Sequence, residues 1–303
     1  MGTVEVVPSH WDDIIKNLNV WKRRDERAPH KPLLLLMVLS RAQRKQTNEF
    51  PFADIHAPLQ TLLREFGPTR KSYHPEFPFW HLQNDGCWVI ADTDALRKRK
   101  GKVQVTRKEL LSKDAVAHVP EPLWLSLVRN PKLVRRIAQE ILDEFWPPSL
   151  HQAIADTVGL SLEPVMVTSR RRQRDPRFRR AVVKAYGGCC AVCGFDARIV
   201  NTPMGIEAAH IQWHAYDGPD VVSNGVALCS LHHVAFDYGA ISIGRDLCVL
   251  ISKNLTGQAS LVEDGLLAYH SQPIRLPRGK IDEPWQGYTR WHRSHVFKGP
   301  PRP

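Results

Sequence analysis

Cys190-Ala-Val-Cys193 and Cys229-Ser-Leu-His232 are the two stretches that decide the fold of the second half of this chain. In each, two metal-binding side chains are separated by two residues, a spacing that turns both toward one ion. Two such pairs complete a closed tetrahedral site, so the spacing predicts a domain stabilised by a structural Zn ion. Cys189 is a competing ligand that spacing does not exclude. Buried cysteines without a metal are the alternative interpretation.

Around these pairs lie histidine, asparagine and acidic side chains suited to hydrolytic chemistry. His210 follows a strand-like Ile-Glu-Ala-Ala segment, and Asn224 precedes the second pair. His233 and Asp237 are four residues apart, so they lie one above the other on a helix that begins near that pair. A lone histidine is usually ordinary surface or core. Several such residues in order around two metal-binding pairs indicate a site.

In these residues the sequence resembles the HNH nuclease family, the ββα-metal endonucleases, over roughly residues 186–245. The resemblance implies that His210 is the general base that deprotonates an attacking water. It implies that His233 binds a catalytic divalent ion, Mg or Mn, and that Asn224 holds the loop bearing the base. It also implies zinc knuckles like those of many members, here formed by Cys190, Cys193, Cys229 and His232.

One position departs from the family pattern. Many members carry an Asp or His metal ligand immediately before the first histidine, whereas this chain has Ala209. We expect another group to take that place. Asp237 is the first candidate because of its helical spacing from His233. Glu207 is the second because it shares a strand face with residue 209.

The first half contains a second recognisable set of residues, His30-Lys-Pro-Leu-Leu-Leu-Leu36 and Tyr73-His-Pro-Glu-Phe-Pro-Phe-Trp-His-Leu82. With these, roughly residues 15–145 resemble the sulfur-binding domain that precedes an HNH module in phosphorothioation-dependent restriction endonucleases. The resemblance implies double-stranded DNA carrying phosphorothioate linkages as the partner. Lys31, His74 and Pro75 match the pocket motifs of that family best.

The chemistry of a phosphorothioate indicates what its binding site needs. Sulfur in place of one nonbridging oxygen is larger, more polarizable and less strongly hydrated, so we expect an apolar cup beside cationic or amide donors. The candidate sulfur- and DNA-binding residues are His30, Lys31, Lys71, Tyr73, His74, Pro75 and Phe79. The alternative is that the aromatic residues of this stretch belong to a hydrophobic core.

Length and composition bound the class of protein. The 303 residues suit about two domains, and 43 % hydrophobic with 24 % charged residues is a globular balance. The longest apolar run, residues 33–39, is far shorter than the ~20 residues of a membrane span. The N-terminus has no secretory signal pattern. We therefore expect a cytoplasmic protein without a membrane partner, whose close cysteine pairs bind metal rather than form disulfides.

The charge of the chain indicates its partner. Lys and Arg number 42 against 31 Asp and Glu, a net charge of +11, and both halves are basic. Nucleic acid is the usual partner of such a chain. Seven arginines crowd residues 170–180, and we expect phosphate contacts from Arg170, Arg171, Arg172 and Arg174. A disordered charge run is the alternative.

Periodicity together with the two resemblances predicts an α+β protein. The resemblances imply a mainly α-helical sulfur-binding domain with a small β-hairpin over residues 1–148 and a ββα-metal domain with a C-terminal extension over 176–303, joined by a linker over 149–175. Residues 147–170 are expected to be linker or a short connecting helix. Helices are predicted over 11–21, from Pro32, over 54–66 and over 131–145. The hairpin is predicted over 79–90, because Asn84-Asp85-Gly86 is a typical hairpin turn.

These observations favour a modification-dependent DNA endonuclease, in which a reader domain delivers an HNH nuclease to nearby phosphodiester bonds. An HNH nuclease that reads a modified base such as methylcytosine is the first alternative. A zinc-stabilised DNA-binding protein with a decayed nuclease site is the second, and Ala209 keeps it open. One active site per chain needs two copies or two visits to cut both strands, so a homodimer is one expectation.

Overall fold

The computed structural model describes residues 10–20, 22–23, 26–91, 105–162 and 176–303. Two compact units make up the chain: Met1–Phe145 with His151–Val165, and Trp146–Leu150 with Met166–Pro303. Within the described residues, no helix combines the length and the apolar character that crossing a membrane requires. The predicted α+β class, with a C-terminal ββα unit, is confirmed.

Helices dominate the first unit. They are α1 (His10–Lys16), α2 (His30–Gln43), α3 (Phe52–Phe66), α4 (Glu76–His81), α5 (Arg107–Ser112), α6 (Glu121–Arg129), α7 (Pro131–Phe145) and most of α8 (Pro148–Val158). Helix α2 packs against α3, α4, α6 and α7, and its four consecutive leucines are fully buried. Pro32 lies in its first turn, where the missing N–H costs no hydrogen bond. The helices predicted from Pro32, over 54–66 and over 131–145 are confirmed.

Short strands complete the first unit. β1 (Lys22–Arg23) pairs with β2 (Glu26–Arg27), and β3 (Phe50–Pro51), β5 (Val116–His118) and β4 (Val89–Ile90) form an antiparallel sheet with β5 in the centre. The hairpin predicted over residues 79–90 is wrong. Most of that stretch is the end of α4 and a 3₁₀ turn, Leu82–Asp85, which Gly86 ends in the left-handed conformation (φ 75°). Asp-Gly therefore ends a helical segment here, and Gly in the left-handed conformation is a common residue at that position.

Helix α8 falls within residues 147–170, the stretch predicted as linker or a short connecting helix. Its C-terminal end bonds to α2: Ser40 Oγ donates to the carbonyls of Val158 (2.7 Å) and Gly159 (3.0 Å). Gln43 exchanges two hydrogen bonds with the backbone of Ser161. The predicted phosphate-contact residues Arg170, Arg171, Arg172 and Arg174 lie outside the described residues. The three predicted domain ranges stay predictions.

The second unit is built on an antiparallel strand pair followed directly by a helix. Its elements are α9 (Pro176–Ala185), β6 (Arg198–Ile199), β7 (Thr202–Pro203), β8 (Ile206–His210), β9 (Gly225–Cys229), α10 (Ser230–Asp237), β10 (Ile241–Ile243), β11 (Val249–Ile251), α11 (Ser260–Gly265) and α12 (Gln286–His295). Strands β8 and β9 pair from Ile206↔Cys229 to His210↔Gly225. This pairing brings the end of β8 beside the start of β9, and it places the second metal-binding pair at the junction of β9 and α10.

Helix α9 covers the β8–β9 pair. Phe178 and Val182 are buried against it, and each contributes roughly 1.5–3 kcal/mol by leaving water. Gly225 makes this close packing possible, because a Cβ there would lie 2.4 Å from Val182 Cγ2 and 3.1 Å from the Phe178 ring. The helix thus fixes the strand that ends in His210.

Candidate functional site

Cys190, Cys193, Cys229 and His232 converge on one point in the second unit. Their ligand atoms all lie within 4.8 Å of one another, and in the described part of the chain no other group of three or more such side chains does so. The separations are 3.9 Å for Cys193 Sγ to Cys229 Sγ, 3.7 Å for Cys190 Sγ to His232 Nδ1 and 3.1 Å for Cys229 Sγ to His232 Nδ1. Thiolate and imidazole ligands of a tetrahedral Zn ion lie about 3.5–3.8 Å apart. The four residues therefore fit a metal ion.

Backbone hydrogen bonds shape the first half of this cluster. Gly194, with φ 75°, donates to the Cys190 carbonyl (2.9 Å) and closes a tight turn between the two thiols. The Ala191 N–H donates to the carbonyl of Ala227 in β9 (2.7 Å), which ties the turn to the strand bearing Cys229. Hydrogen bonds from the thiols of Cys193 and Cys229 lower the pKa of Cys190, so the cluster favours a thiolate. Such a site attracts a cation.

Cys189, the competing ligand that spacing left open, is not in this group. Its Sγ lies 3.7 Å from the carbonyl oxygen of Gly187, in the turn before the first pair. The spacing argument alone could not separate Cys189 from Cys190, because both precede Cys193 closely. The backbone turn decides between them.

His210 is buried at the end of β8, and a carboxylate that the sequence analysis missed contacts it. Its Nε2 lies 2.7 Å from Asp220 Oδ1, and its ring stacks on Phe178 with centroids 4.0 Å apart. A carboxylate on one imidazole nitrogen fixes the tautomer and the ring orientation. Asp220 is ten residues away on an irregular loop, so no periodic pattern in the sequence could have identified it.

Asn224 holds the loop that carries Asp220. Its Oδ1 accepts from the Gln212 N–H (2.8 Å), and its Nδ2 donates to the carbonyls of Gln212 and Pro219 (both 3.0 Å). The Asn224 side chain is fully buried, so these bonds replace all contact with water. The loop is therefore closed at both ends by one amide side chain, with His210 before it and Asp220 at its far end.

His233, on α10, lies between the two carboxylates that the sequence offered as alternative metal ligands. Glu207 Oε2 is 2.6 Å from His233 Nδ1, and Asp237 Oδ2 is 3.4 Å from His233 Nε2. The two acids therefore meet opposite nitrogens and do not converge on one point. The Glu207 side chain is 48 % exposed, whereas that of Asp237 is 3 % exposed and accepts a hydrogen bond from Ser149. The carboxylate on the Glu207 side of the ring is therefore exposed to water, whereas the one on the Asp237 side is buried.

The first unit contains a cavity of about 830 Å³. Its walls combine apolar side chains with cationic and amide groups, and they are formed by Asn19, Val20, Ala28, His30, Lys31, Arg70, Lys71, Ser72, His74, Phe77, Pro78, His81 and Asn84. Four of the seven predicted sulfur- and DNA-binding residues are in this set. Its volume is ample for a phosphodiester group, and its cations favour an anion.

Lys31 and His30, two of the predicted donors, differ in charge and in their partners. Lys31 is buried, and its ammonium donates to an Asp85 carboxylate oxygen and to the Asn19 carbonyl. It is therefore committed to holding the cavity wall, because removing one partner of a buried ion pair costs roughly 3–5 kcal/mol. Burial and the nearby charge of Arg70 lower the pKa of His30 to about 4, so His30 is neutral near pH 7. Exposed Lys71 and Arg70 supply the positive charge.

His74 is held at the cavity edge by a chain of polar contacts. Its Nε2 lies 2.9 Å from Ser72 Oγ, and its Nδ1 lies 2.8 Å from Glu76 Oε1. The Glu76 carboxylate is buried and also lies 3.5 Å from Arg107 Nε. The His74 ring stacks on Phe77, so the orientation of both cavity-lining rings is fixed.

The other three predicted pocket residues, Tyr73, Pro75 and Phe79, are not among the cavity-lining residues. Phe79 is fully buried and packs against Phe52 and Trp88, so its assignment to the apolar cup is wrong. Pro75 is buried just before α4, and the Tyr73 hydroxyl accepts from the Arg70 N–H (3.3 Å).

Two family models match the chain. Residues 11–163, just over half of it, match the "ScoMcrA-like, DNA sulfur-binding domain" family. Residues 190–244 match the HNH endonuclease family. No curated protein matches the chain.

Solved structures give further similarities. The sulfur-binding domain of ScoMcrA complexed with phosphorothioated DNA is 19 % identical, with a TM-score of 0.44 over 50 % of this chain and 97 % of that one. The corresponding SprMcrA complex is 19 % identical, with a TM-score of 0.39 over 48 % and 90 %. The type IV phosphorothioation-dependent restriction endonuclease ScoMcrA is 17 % identical, with a TM-score of 0.41 over 51 % of this chain but only 29 % of that one.

The two family models confirm the resemblance of each half to its family. The first unit, with its cavity, and the ββα unit, with its histidines, are the parts that the two family models cover. The chain therefore belongs to the ScoMcrA-like DNA sulfur-binding domain family and carries an HNH endonuclease domain after it.

Proposed function

We propose that this chain is a modification-dependent DNA endonuclease. Its first unit binds phosphorothioate linkages in double-stranded DNA, and its HNH domain hydrolyses nearby phosphodiester bonds. The observation that carries the proposal is the cavity of the first unit, where Phe77 and Pro78 lie in the same walls as Arg70 and Lys71. The proposal places the protein in the cytoplasm, with a homodimer as one way to cut both strands.

The cavity suits sulfur for a physical reason. Phosphate and phosphorothioate carry the same formal charge, so Arg70 and Lys71 attract both equally. Discrimination must come from contacts that favour a polarizable, weakly hydrated atom. The apolar surface of Phe77 and Pro78 offers dispersion contacts to sulfur. A phosphate oxygen placed there would lose its hydration and gain no hydrogen bond in exchange. Neutral His30 adds no further charge that would favour oxygen.

The second unit is the part of the chain that would hydrolyse the phosphodiester bond. We assign His210 as the general base, because it can take a proton from water near neutral pH. The Asp220 carboxylate orients its ring, and Asn224 keeps that carboxylate in place. A Mg or Mn ion held by His233 would stabilise the negative charge that develops on the phosphorus oxygens and on the leaving oxygen.

Glu207 supports this site better than Asp237, the first candidate from helical spacing. A catalytic ion must be reached by water and by the scissile phosphate. Glu207 is half-exposed beside His233 Nδ1, whereas Asp237 is buried and already accepts from Ser149. We therefore assign Glu207 as the ligand that replaces the residue missing at Ala209, and Asp237 as the carboxylate that orients the His233 ring.

Binding of matched plain, methylated and phosphorothioated duplexes tests the proposal. We expect the full chain to bind the phosphorothioated duplex most tightly. Phe77→Ala should lower that affinity by about tenfold toward the value for plain DNA, because roughly 1–2 kcal/mol of apolar contact is lost. The slope of affinity against salt should stay unchanged, because no cation is removed. Trp80→Ala, on the same helix outside the cavity lining, is the matched control.

Removal of a cationic residue should change binding in the opposite way from removal of Phe77. Lys71→Ala should weaken binding to plain and modified duplexes alike and flatten the salt slope. Equal affinity of the wild-type chain for plain and sulfur-bearing DNA would contradict the proposal. Preference for the methylated duplex would identify a modified-base reader instead.

Asp220→Asn should slow DNA cleavage by about 10–100-fold without weakening DNA binding, because the amide no longer fixes the imidazole tautomer. Asp217→Asn, which changes an exposed acid of the same loop, is the control. Slower cleavage together with weakened DNA binding would mean that Asp220 only maintains the loop.

A further inference from the structure

The hairpin formed by β6 and β7 presents large apolar side chains to solvent. Ile199 is 67 % exposed and Val200 is 92 % exposed. Two residues, Val200 and Asn201, join the strands in a tight turn. Exposed apolar residues scattered singly need no explanation, but two adjacent ones at the tip of a projecting hairpin offer a contact surface.

The backbone at the tip makes this surface more unusual. Val200 has φ 56°, a conformation that a β-branched residue adopts only at a cost and that glycine adopts freely. Glycine or asparagine is the usual choice at such a turn position. Because Val200 makes no buried contact that offsets this cost, neither packing nor turn geometry accounts for a valine here.

Three arginines surround the base of the hairpin. The Arg198 guanidinium donates to the Gly187 carbonyl (2.6 Å). The backbone N–H groups of Arg275 and Arg278 donate to the carbonyls of Ala191 and Ala185.

The side chains of Arg275 and Arg278 are exposed. Their guanidinium groups lie close to the chain on either side of Cys190. A Cβ on Gly194 would lie 2.5 Å from the Arg275 guanidinium, and a Cβ on Gly187 would lie 3.4 Å from that of Arg278. Asp196, two residues before Arg198, is an exposed acid beside these three arginines, so positive charge is in excess among these four residues.

We propose that this hairpin enters the minor groove of duplex DNA, with Ile199 and Val200 against a base step and with Arg198, Arg275 and Arg278 on the flanking phosphates. Apolar side chains are the ones that DNA-bending proteins place between base steps, and arginines follow the phosphates beside them. The inference rests on the proposed nuclease function, and it adds a DNA contact within the HNH unit itself.

The observations favour DNA over a second copy of the chain. A stable dimer buries about 800 Å² on each partner, which a two-residue tip does not supply. Two copies that met through this surface would also bring their arginines together, and like charges repel. An apolar tip with arginines toward the base of its hairpin is instead complementary to a groove lined by phosphates.

Val200→Gly in the full chain gives the sharpest test. We expect thermal stability to stay equal or rise, because glycine adopts φ 56° without cost. Affinity for a plain duplex should fall about threefold to tenfold, and Ile199→Ser should have the same effect. Leu261→Ser, which changes a 68 % exposed leucine on α11, should alter neither quantity. A residue with a purely structural role would not raise stability and weaken DNA binding in the same variant.

The outcomes separate this inference from the proposed function. If the wild-type chain neither binds nor cuts plain or phosphorothioated duplexes, both are overturned. If it binds and cuts them while Val200→Gly and Ile199→Ser retain full affinity, only the hairpin contact is overturned. A wild-type dimer that becomes monomeric in Val200→Gly, with DNA affinity unchanged, would make the tip an interface between copies and would likewise overturn the DNA contact.

Discussion

His210→Ala is expected to reduce DNA cleavage by about 10²–10⁴-fold, the usual contribution of a general base, while DNA affinity stays nearly unchanged. The imidazole is buried, with Asp220 on Nε2 and Phe178 on its face, so little of it remains to contact DNA in the ground state. A group that acts only in the transition state lowers the rate without changing binding. Single-turnover cleavage and equilibrium binding of the same duplex measure the two quantities.

His214→Ala is the matched control for this variant. His214 lies in the same loop, its ring centroid is 6.0 Å from that of His210, and its side chain is exposed. We expect its removal to change the cleavage rate by less than about threefold, because it is not the residue that would take the proton. A large loss of DNA affinity in His210→Ala, with the fold intact, would make His210 a contact residue instead of the base.

Features set by local spacing could be predicted from the sequence. The two pairs of metal-binding residues are each only four residues long, so their geometry follows from the turn that spans them. The bounds of α3 and α7 follow from apolar periodicity and from the residues that stop each helix. Buried α2 could be recognised because its leucine run leaves no polar face.

Features set by distant contacts could not be predicted in the same way. The stretch 79–90 offers a good hairpin turn, but Phe79 packs against Phe52 and Trp88, and that packing favours the helical conformation. Lys31 looked like a donor to DNA because nothing in the sequence places Asp85 beside it. Tertiary contacts outweighed local preference at both positions.

The candidate active site shows the same division. His210, Asn224 and His233 carry the family motif and could be named from sequence, as could Glu207 and Asp237 as alternatives. The choice between the two acids depends on exposure, which a strand or helix position alone does not give. Asp220 was missed because it reaches His210 across a loop whose conformation depends on tertiary hydrogen bonds, those of Asn224 among them.

Removal of the metal from the Cys190, Cys193, Cys229 and His232 cluster should have the largest effect on stability. Structural Zn sites contribute apparent binding free energies of roughly 10–16 kcal/mol in zinc-finger peptides, more than the total stability of most domains. We therefore expect about one tightly bound Zn per chain, and we expect chelation or Cys229→Ser to unfold the second unit. Metal content and thermal unfolding measure both results.

Cys189→Ser is the matched control, because Cys189 lies next to the cluster but outside it. It should keep the Zn content and the unfolding temperature of the wild-type chain. We expect cleavage to need added Mg or Mn even in Zn-loaded protein, because the proposed catalytic ligands His233 and Glu207 are not members of that cluster. Chelated protein that regained its activity with Zn alone would contradict two separate sites. Unchanged stability after Zn loss would mean that the core around Phe178 and Val182 holds the β8–β9 pair by itself.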